Sequence, residues 1–178
     1  MNIAILSYSY TGNNEALAER VARKLVAKHI KVTVRKPVTM GSIVLDMLFS
    51  RTPQVQPAPD SLRKYDLILF FGPVWMGKVA SPLRAYLNDL KQNPKPYGFL
   101  SISGGADGKN PKLSNELLQR TGKQPVILVD QHIADLLSPD NSTTLKETSA
   151  YKINEEDVNR LMKVAVERIK QFSAIDSI

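Results

Sequence analysis

The sequence predicts a doubly wound α/β domain, one open parallel sheet with helices on both faces. Three observations predict it. Short, continuous apolar runs recur along the chain, as strands buried on both faces require. Amphipathic helical patterns separate those runs, which is the order of right-handed crossover units. The chain of 178 residues has the length of one ordinary domain. No composition shift, internal repeat or low-complexity tract divides it, so 1–178 reads as a single domain.

The first strand is I-A-I-L, Ile3–Leu6. A helix follows from Asn14 to Lys28, with Leu17, Val21, Leu25 and Val26 on one face. A weaker run, K-V-T-V at Lys31–Val34, is the second strand. The crossover after it is the least regular part. Gly41–Phe49 has the pattern of a short helix, and Pro53–Pro59 reads as an extended connector. The third strand is Leu67–Phe71. Ser81-Pro82 then opens a helix as a cap followed by proline, with a stripe of Leu83, Tyr86, Leu87 and Leu90. The fourth strand is Phe99–Ser103. Asn110-Pro111 opens the next helix, and Gly122 stops it. Val126–Val129 is the fifth strand. Asn154-Glu155-Glu156-Asp157 resembles a capping box and starts a last helix through Val158, Leu161, Ala165, Ile169 and Phe172.

Composition bounds the function. The chain is 43% hydrophobic and 23% charged, which is globular. No apolar run approaches the ~20 residues that span a bilayer, and the start, Met1-Asn2-Ile3-Ala4, has no basic region of a signal peptide. There is no cysteine, which excludes disulfides and thiolate chemistry and fits a cytoplasmic location. The two histidines, His29 and His132, are not at metal-ligand spacing, so no metal site is expected. A formal charge of +7 attracts anions, or simply solvates the surface. The basic residues are scattered and lack interleaved aromatics, which argues against nucleic acid.

Three loops leave strands at their C-terminal ends, so they share one rim of the sheet, where such folds hold ligands. The first is S-Y-T-G-N-N, Ser9–Asn14, at the start of the first helix. Backbone N–H groups there lack helical partners, and the helix dipole favours an anion. Hydroxyls of Ser9 and Thr11 and amides of Asn13 and Asn14 are donors too, and Gly12 permits close approach. The loop has neither the G-K-[ST] ending of a nucleotide-triphosphate loop nor G-x-G-x-x-G. Two readings stand, a cup for one phosphate and a set of helix caps. The second loop, Gly72–Lys78, brings Trp75 and Met76, an apolar face suited to a planar ring. The third, Ser103–Gly108, brings an unobstructed backbone at Gly104 and Gly105. Together they describe a site for a phosphorylated flat heterocycle.

With these motifs the sequence resembles the flavodoxin-like family, which binds flavin mononucleotide (FMN). Ser9–Asn14 is similar to its phosphate loop, [ST]-x-T-G-x-[TN], with Asn14 where threonine is commoner. Tyr65–Lys78 is similar to its third strand and first ring-contacting loop, and Ser103-Gly104-Gly105 falls at its second. The resemblance implies a single flavodoxin-like three-layer domain with a five-stranded parallel sheet in the order 2-1-3-4-5. It implies that Ser9, Tyr10, Thr11, Gly12, Asn13 and Asn14 hold the phosphate. Pro73, Val74, Trp75, Met76, Gly77 and Lys78 would border one side of the ring, and Ser103, Gly104, Gly105 and Ala106 its pyrimidine end. Many relatives carry a stacking aromatic in that last loop; this chain has none between Ser103 and Lys109.

FMN would carry the redox chemistry, so no catalytic side chain is expected. One reading is an electron carrier or small oxidoreductase that meets a redox partner protein or a small electron acceptor. The other is a reductase that takes hydride from NADH or NADPH through the same FMN. A module that keeps the fold without flavin is a third class. Lys78 and Arg84 are either cations for a nicotinamide phosphate or solvated surface charges. The stretch His132–Tyr151 is either a lid or packing with a short helix at Ile133–Leu137. His132 is either a proton donor or an ordinary loop histidine. Ile43–Phe49 either covers the sheet or makes a homodimer contact.

Overall fold

The computed structural model describes residues 1–35, 39, 41, 45–46, 51–106, 108–137 and 143–175, the last three of these without side chains. Its main sheet is five-stranded and parallel: β1 (Ile3–Ser7), β2 (Lys28–Lys31), β5 (Leu67–Phe71), β8 (Tyr97–Ser103) and β9 (Ile127–His132). The spatial order is β2-β1-β5-β8-β9, the expected 2-1-3-4-5. Register runs without interruption, from Ala4 against Lys28, through Ile5 against Leu69 and Phe70 against Phe99, to Ser103 against His132.

The continuous apolar strands have a reason in the layers. On β5, Ile68 and Phe70 join a core under α2 (Ser81–Gln92) and α3 (Leu113–Thr121). Leu67, Leu69 and Phe71 join the opposite core, under α1 (Asn13–Leu25) and α6 (Glu155–Ile175). Alternate side chains of one strand thus feed two cores. Arg20 of α1 pairs with Glu155 and donates to Asn159, joining the two helices of that face. Among the described residues, no helix is long and apolar enough to cross a membrane.

Two expectations shift. The second strand lies at Lys28–Lys31, earlier than Lys31–Val34, because α1 stops at Leu25 and Val26 turns in the left-handed region at φ 52°. It is an edge strand, half-exposed, so its sequence K-H-I-K need not be apolar. Thr33–Val34 (β3) leaves the sheet and pairs antiparallel with Val55–Gln56 (β4) inside the expected connector. A 3-10 turn, Pro59–Leu62, closes that connector. Of the helix expected at Gly41–Phe49, Gly41, Leu45 and Asp46 are helical and the remainder lies outside the described residues, as does the dimer contact placed there.

Candidate functional site

The first loop leaves β1 at Ser7 and enters α1 through Gly12, whose φ of 95° only glycine adopts freely. The Ser9 hydroxyl oxygen accepts from the N–H of Gly12 at 3.0 Å and of Asn14 at 3.2 Å. Its own hydrogen remains for a ligand. The N–H groups of Tyr10, Thr11, Asn13 and Glu15 find no acceptor among the described residues. Thr11 is exposed. These open donors sit at the positive end of a 13-residue helix, an arrangement that attracts an anion.

The two asparagine side chains serve otherwise than expected. Asn14 is 2% exposed and is bound at both ends to the backbone of Ile102. Its Nδ2 donates to the carbonyl at 2.8 Å, and its Oδ1 accepts from the N–H at 2.8 Å. Asn13 does the same for the late chain, donating to Tyr151 O at 2.9 Å and accepting from Ile153 N at 3.2 Å. Each spends its amide oxygen and one N–H on tertiary ties. What they leave toward the rim is chiefly backbone.

The second loop is a small hairpin. β6 (Val74–Trp75) pairs with β7 (Lys78–Val79), with Trp75 opposite Lys78. Met76 and Gly77 turn it at φ 50° and 74°, the double positive φ of a type I′ turn. Met76 stands 89% exposed at the tip. Trp75 lies edge-on to Tyr8 and Tyr10, at centroid distances of 6.3 and 6.4 Å. The first two loops therefore meet through an aromatic trio. Burial, with Tyr10 and Asp46 nearby, pushes the Tyr8 hydroxyl up to about 12. Pro73 and Val74 are buried behind the hairpin. Gly72 is needed because a Cβ there would lie 2.3 Å from Leu83 Cδ1.

Neither cation paired with a nicotinamide phosphate in the sequence reading stands free at the rim. Arg84 is 1% exposed. Its Nε donates to Val79 O at 3.0 Å and its Nη1 to Asp46 O at 2.9 Å, while Ser81 donates to the Asp46 carboxylate at 2.7 Å. It clasps the hairpin to Asp46, and burial pulls its pKa down. Both expected alternatives, surface charge and phosphate cation, therefore give way to a structural one. Lys78 lines a groove of about 520 Å³ between α2 and α3 with Asn88, Lys91, Glu116 and Arg120.

The third loop follows β8. Ser103 is buried, whereas Gly104, Gly105 and Ala106 are half-buried. Its carbonyls are tied down: Ser103 O accepts from Ile133 N at 2.9 Å, Gly104 O from Ala134 N at 3.0 Å and Gly105 O from Gly108 N at 2.9 Å. Beneath it Asp130 accepts from Ser101 Oγ at 2.5 Å, from Asn110 Nδ2 at 3.0 Å and from His132 Nε2 at 3.2 Å. Asn110 Nδ2 also reaches Ser103 Oγ at 3.2 Å. Burial alone would raise the Asp130 carboxyl; the hydrogen bonds from His132, Ser101 and Asn110 outweigh it and hold it below the usual range. His132 is the buried last residue of β9, not a loop histidine.

The stretch after β9 carries α4 (Ala134–Leu137) at the expected short helix and α5 (Leu145–Ala150), while 138–142 lie outside the described residues. A reciprocal cap between Thr144 and Glu147 starts α5. Thr148 packs under Gly104, where a Cβ would lie 3.1 Å from its Oγ1. Tyr8, Asn110, Asp130, Thr148 and Tyr151 border the site, and no motif in the sequence assigns them a part in it.

No protein-family model matches the chain. Solved structures do resemble it. A flavoprotein in complex with FMN from Lactobacillus acidophilus shares 20% identity, with 73% of this chain and 93% of that one covered and a TM-score of 0.59. A flavodoxin from the domain Archaea aligns over 97% of this chain and 99% of its own at 14% identity and TM-score 0.52. The Trp repressor binding protein from Bacillus subtilis aligns over 91% and 98%, at 14% and 0.53. The fold is flavodoxin-like.

Proposed function

We propose that this chain is an FMN-binding redox protein that transfers electrons through flavin held at the rim of β1, β5 and β8. The observation that carries the reading is the set of open N–H groups at Tyr10, Thr11, Asn13 and Glu15, beside an aromatic trio. Buried polar ties hold the loop around those donors, so they are preorganised for an anion rather than left over. The flavoprotein of similar fold from Lactobacillus acidophilus was solved with FMN.

The residues fit the group by their chemistry. Thr11, Ser9 and the backbone of Tyr10–Asn14 would receive the phosphate. Trp75 and the exposed Met76 would border the ring on one side, and Ser103–Ala106 would present backbone to its pyrimidine end. When bound, FMN supplies the electron-accepting ring. The chain binds, orients and partly shields it, and no side chain at the rim need take or give a proton. A net charge of +7 favours acidic redox partners or anionic acceptors, in the cytoplasm. The reductase reading, with NADH or NADPH as donor, loses the support expected from Arg84, which is closed off from solvent. The carrier is therefore the preferred form.

The test is calorimetric titration of the purified protein with FMN and riboflavin, then addition of NADH and NADPH to the loaded protein. Tight FMN binding with weaker riboflavin binding is the expected result, with neither nicotinamide bleaching the flavin. Equal affinity for the two flavins would remove the phosphate cup. Rapid bleaching would restore the reductase.

A further inference from the structure

The third loop rests on a pair of opposite chemistry, Asp130 and His132, two residues apart on β9. His132 is 5% exposed. Its ring lies against Gly105, where a Cβ would sit 2.4 Å from His132 Cβ and 2.7 Å from Cγ. Both ring nitrogens point at carboxylates, Nε2 at Asp130 Oδ2 at 3.2 Å and Nδ1 at Asp135 Oδ2 at 3.6 Å. A neutral imidazole has one N–H and one lone pair. Only the doubly protonated ring offers hydrogen to both acids. Asp130 in turn accepts from Asn110, which holds Ser103. The start of the loop at Ser103, its middle at Gly105 and its far end at Asn110 therefore converge on one imidazole–carboxylate pair.

We infer that Asp130 and His132 form a pin that holds the third loop in its ligand-ready shape, and that the pin grips while the imidazole is protonated. The inference rests on the proposed FMN site, whose ring end this loop would border. His132 is a positioning residue, since Gly105 lies over its ring. Among the described residues the charged groups bearing on it are Asp130 from β9 and Asp135 from α4; α5 presents the neutral Thr148 to Gly104, and β8 presents Ser101 and Ser103.

The hydrogen bond to Asp130 raises the His132 pKa above its ordinary 6.5, more than burial lowers it. A raised base stabilises the fold fully below about 6.5, and that contribution fades as pH rises through the raised value. Asp130 is lowered, so its contribution is present above the ordinary 3.8 and fades as pH falls through the lowered value. Between these limits the pin is set.

The experiment separates the ring end from the phosphate end. FMN and riboflavin affinities are measured across neutral pH for the unmutated protein, His132→Gln and Asn110→Ala. Glutamine keeps one donor for Asp130 and cannot take a charge. The unmutated protein should lose affinity for both flavins as pH rises through the His132 titration. His132→Gln should bind both about tenfold more weakly at the acid end, without that step. At each pH the ratio of FMN to riboflavin affinity, set by the first loop, should be the same in the variants as in the unmutated protein. Asn110→Ala should weaken both flavins and keep the step. A changed ratio, or unmutated affinities with no step beyond that of His132→Gln, overturns the pin. Amide exchange in the flavin-free protein reads the same device separately. The protection factors of Gly108, Ile133 and Ala134 should fall in His132→Gln. Absent flavin binding with that loss of protection would sink the FMN reading and keep the pin; unchanged protection would sink the pin.

Discussion

The first and third loops both leave parallel strands at one rim, yet they are built in opposite ways. The first keeps the N–H groups of Tyr10, Thr11, Asn13 and Glu15 without acceptors among the described residues and is held from outside, by Asn13 and Asn14 reaching to Tyr151, Ile153 and Ile102. The third has its carbonyls bound, and Ser101 and Asn110, which flank it, converge on Asp130. Unspent donors suit an ionic group that arrives with its own acceptors. A bound-down backbone suits recognition by shape. Within one site, one wall is tuned by what it leaves unsatisfied and the other by what it fixes.

The largest expected effect strikes the third loop. Gly105→Ala puts a methyl 2.4 Å from His132 Cβ at a φ of 77°. Overpacking and left-handed strain together should cost about 3 kcal/mol, read as a lower urea midpoint with unchanged m-value. A variant of wild-type stability would show that the loop is free to move off the imidazole, and the contrast with the first loop would dissolve.

How much of this arrangement the amino acids announce differs by element. The central strands β1, β5 and β8 are plain, because both faces are buried and the runs are apolar apart from a few serines. β2 is misplaced by three residues because an edge strand carries no such signature, and Val26 ends the helix in a conformation its type disfavours. The three rim loops were recognisable by glycine, hydroxyl and tryptophan. The hairpin inside the second was not, since Met76 occupies a turn position where asparagine or glycine would signal it. Arg84 was misjudged because arginine is seldom buried. The Asp130 network has no local pattern at all. Asp130 and His132 are two apart on β9, but Ser101 and Asn110 reach them only through β8–β9 pairing and the loop after β8.

The next effect strikes the ties of the first loop. Asn14→Leu leaves the N–H and C=O of Ile102 buried without partners, at a cost of about 2–3 kcal/mol by thermal or urea unfolding. The Asn14 side chain would thereby be separated from the ligand donors. Loss of FMN affinity without loss of stability would show the opposite, that Asn14 serves the phosphate.

Thr11→Val should do the reverse. Thr11 is exposed and bonded to nothing among the described residues, so stability should stay within about 0.5 kcal/mol. FMN affinity should fall roughly tenfold to a hundredfold as one charge-assisted hydrogen bond is lost, while riboflavin affinity holds. Parallel losses for both flavins would place Thr11 at the ring instead.

The smallest effect has the opposite sign. Met76→Gly relieves a side chain held at φ 50° with 89% of its surface in solvent. It should stabilise the protein by about 0.5–1 kcal/mol. If flavin affinity falls at the same time, the exposed methionine belongs to the ring-bordering wall and its strain is kept for that use.

The tie from Asn13 to Tyr151 and Ile153 spans 138 and 140 positions of chain. During synthesis on the ribosome, the loop at the amino end would emerge long before the residues that brace it. A nascent chain halted short of Tyr151 should therefore be a poor scavenger of cofactor, with capture deferred until the last helix is nearly made. Pulling down stalled chains of graded length on immobilised FMN would time that event.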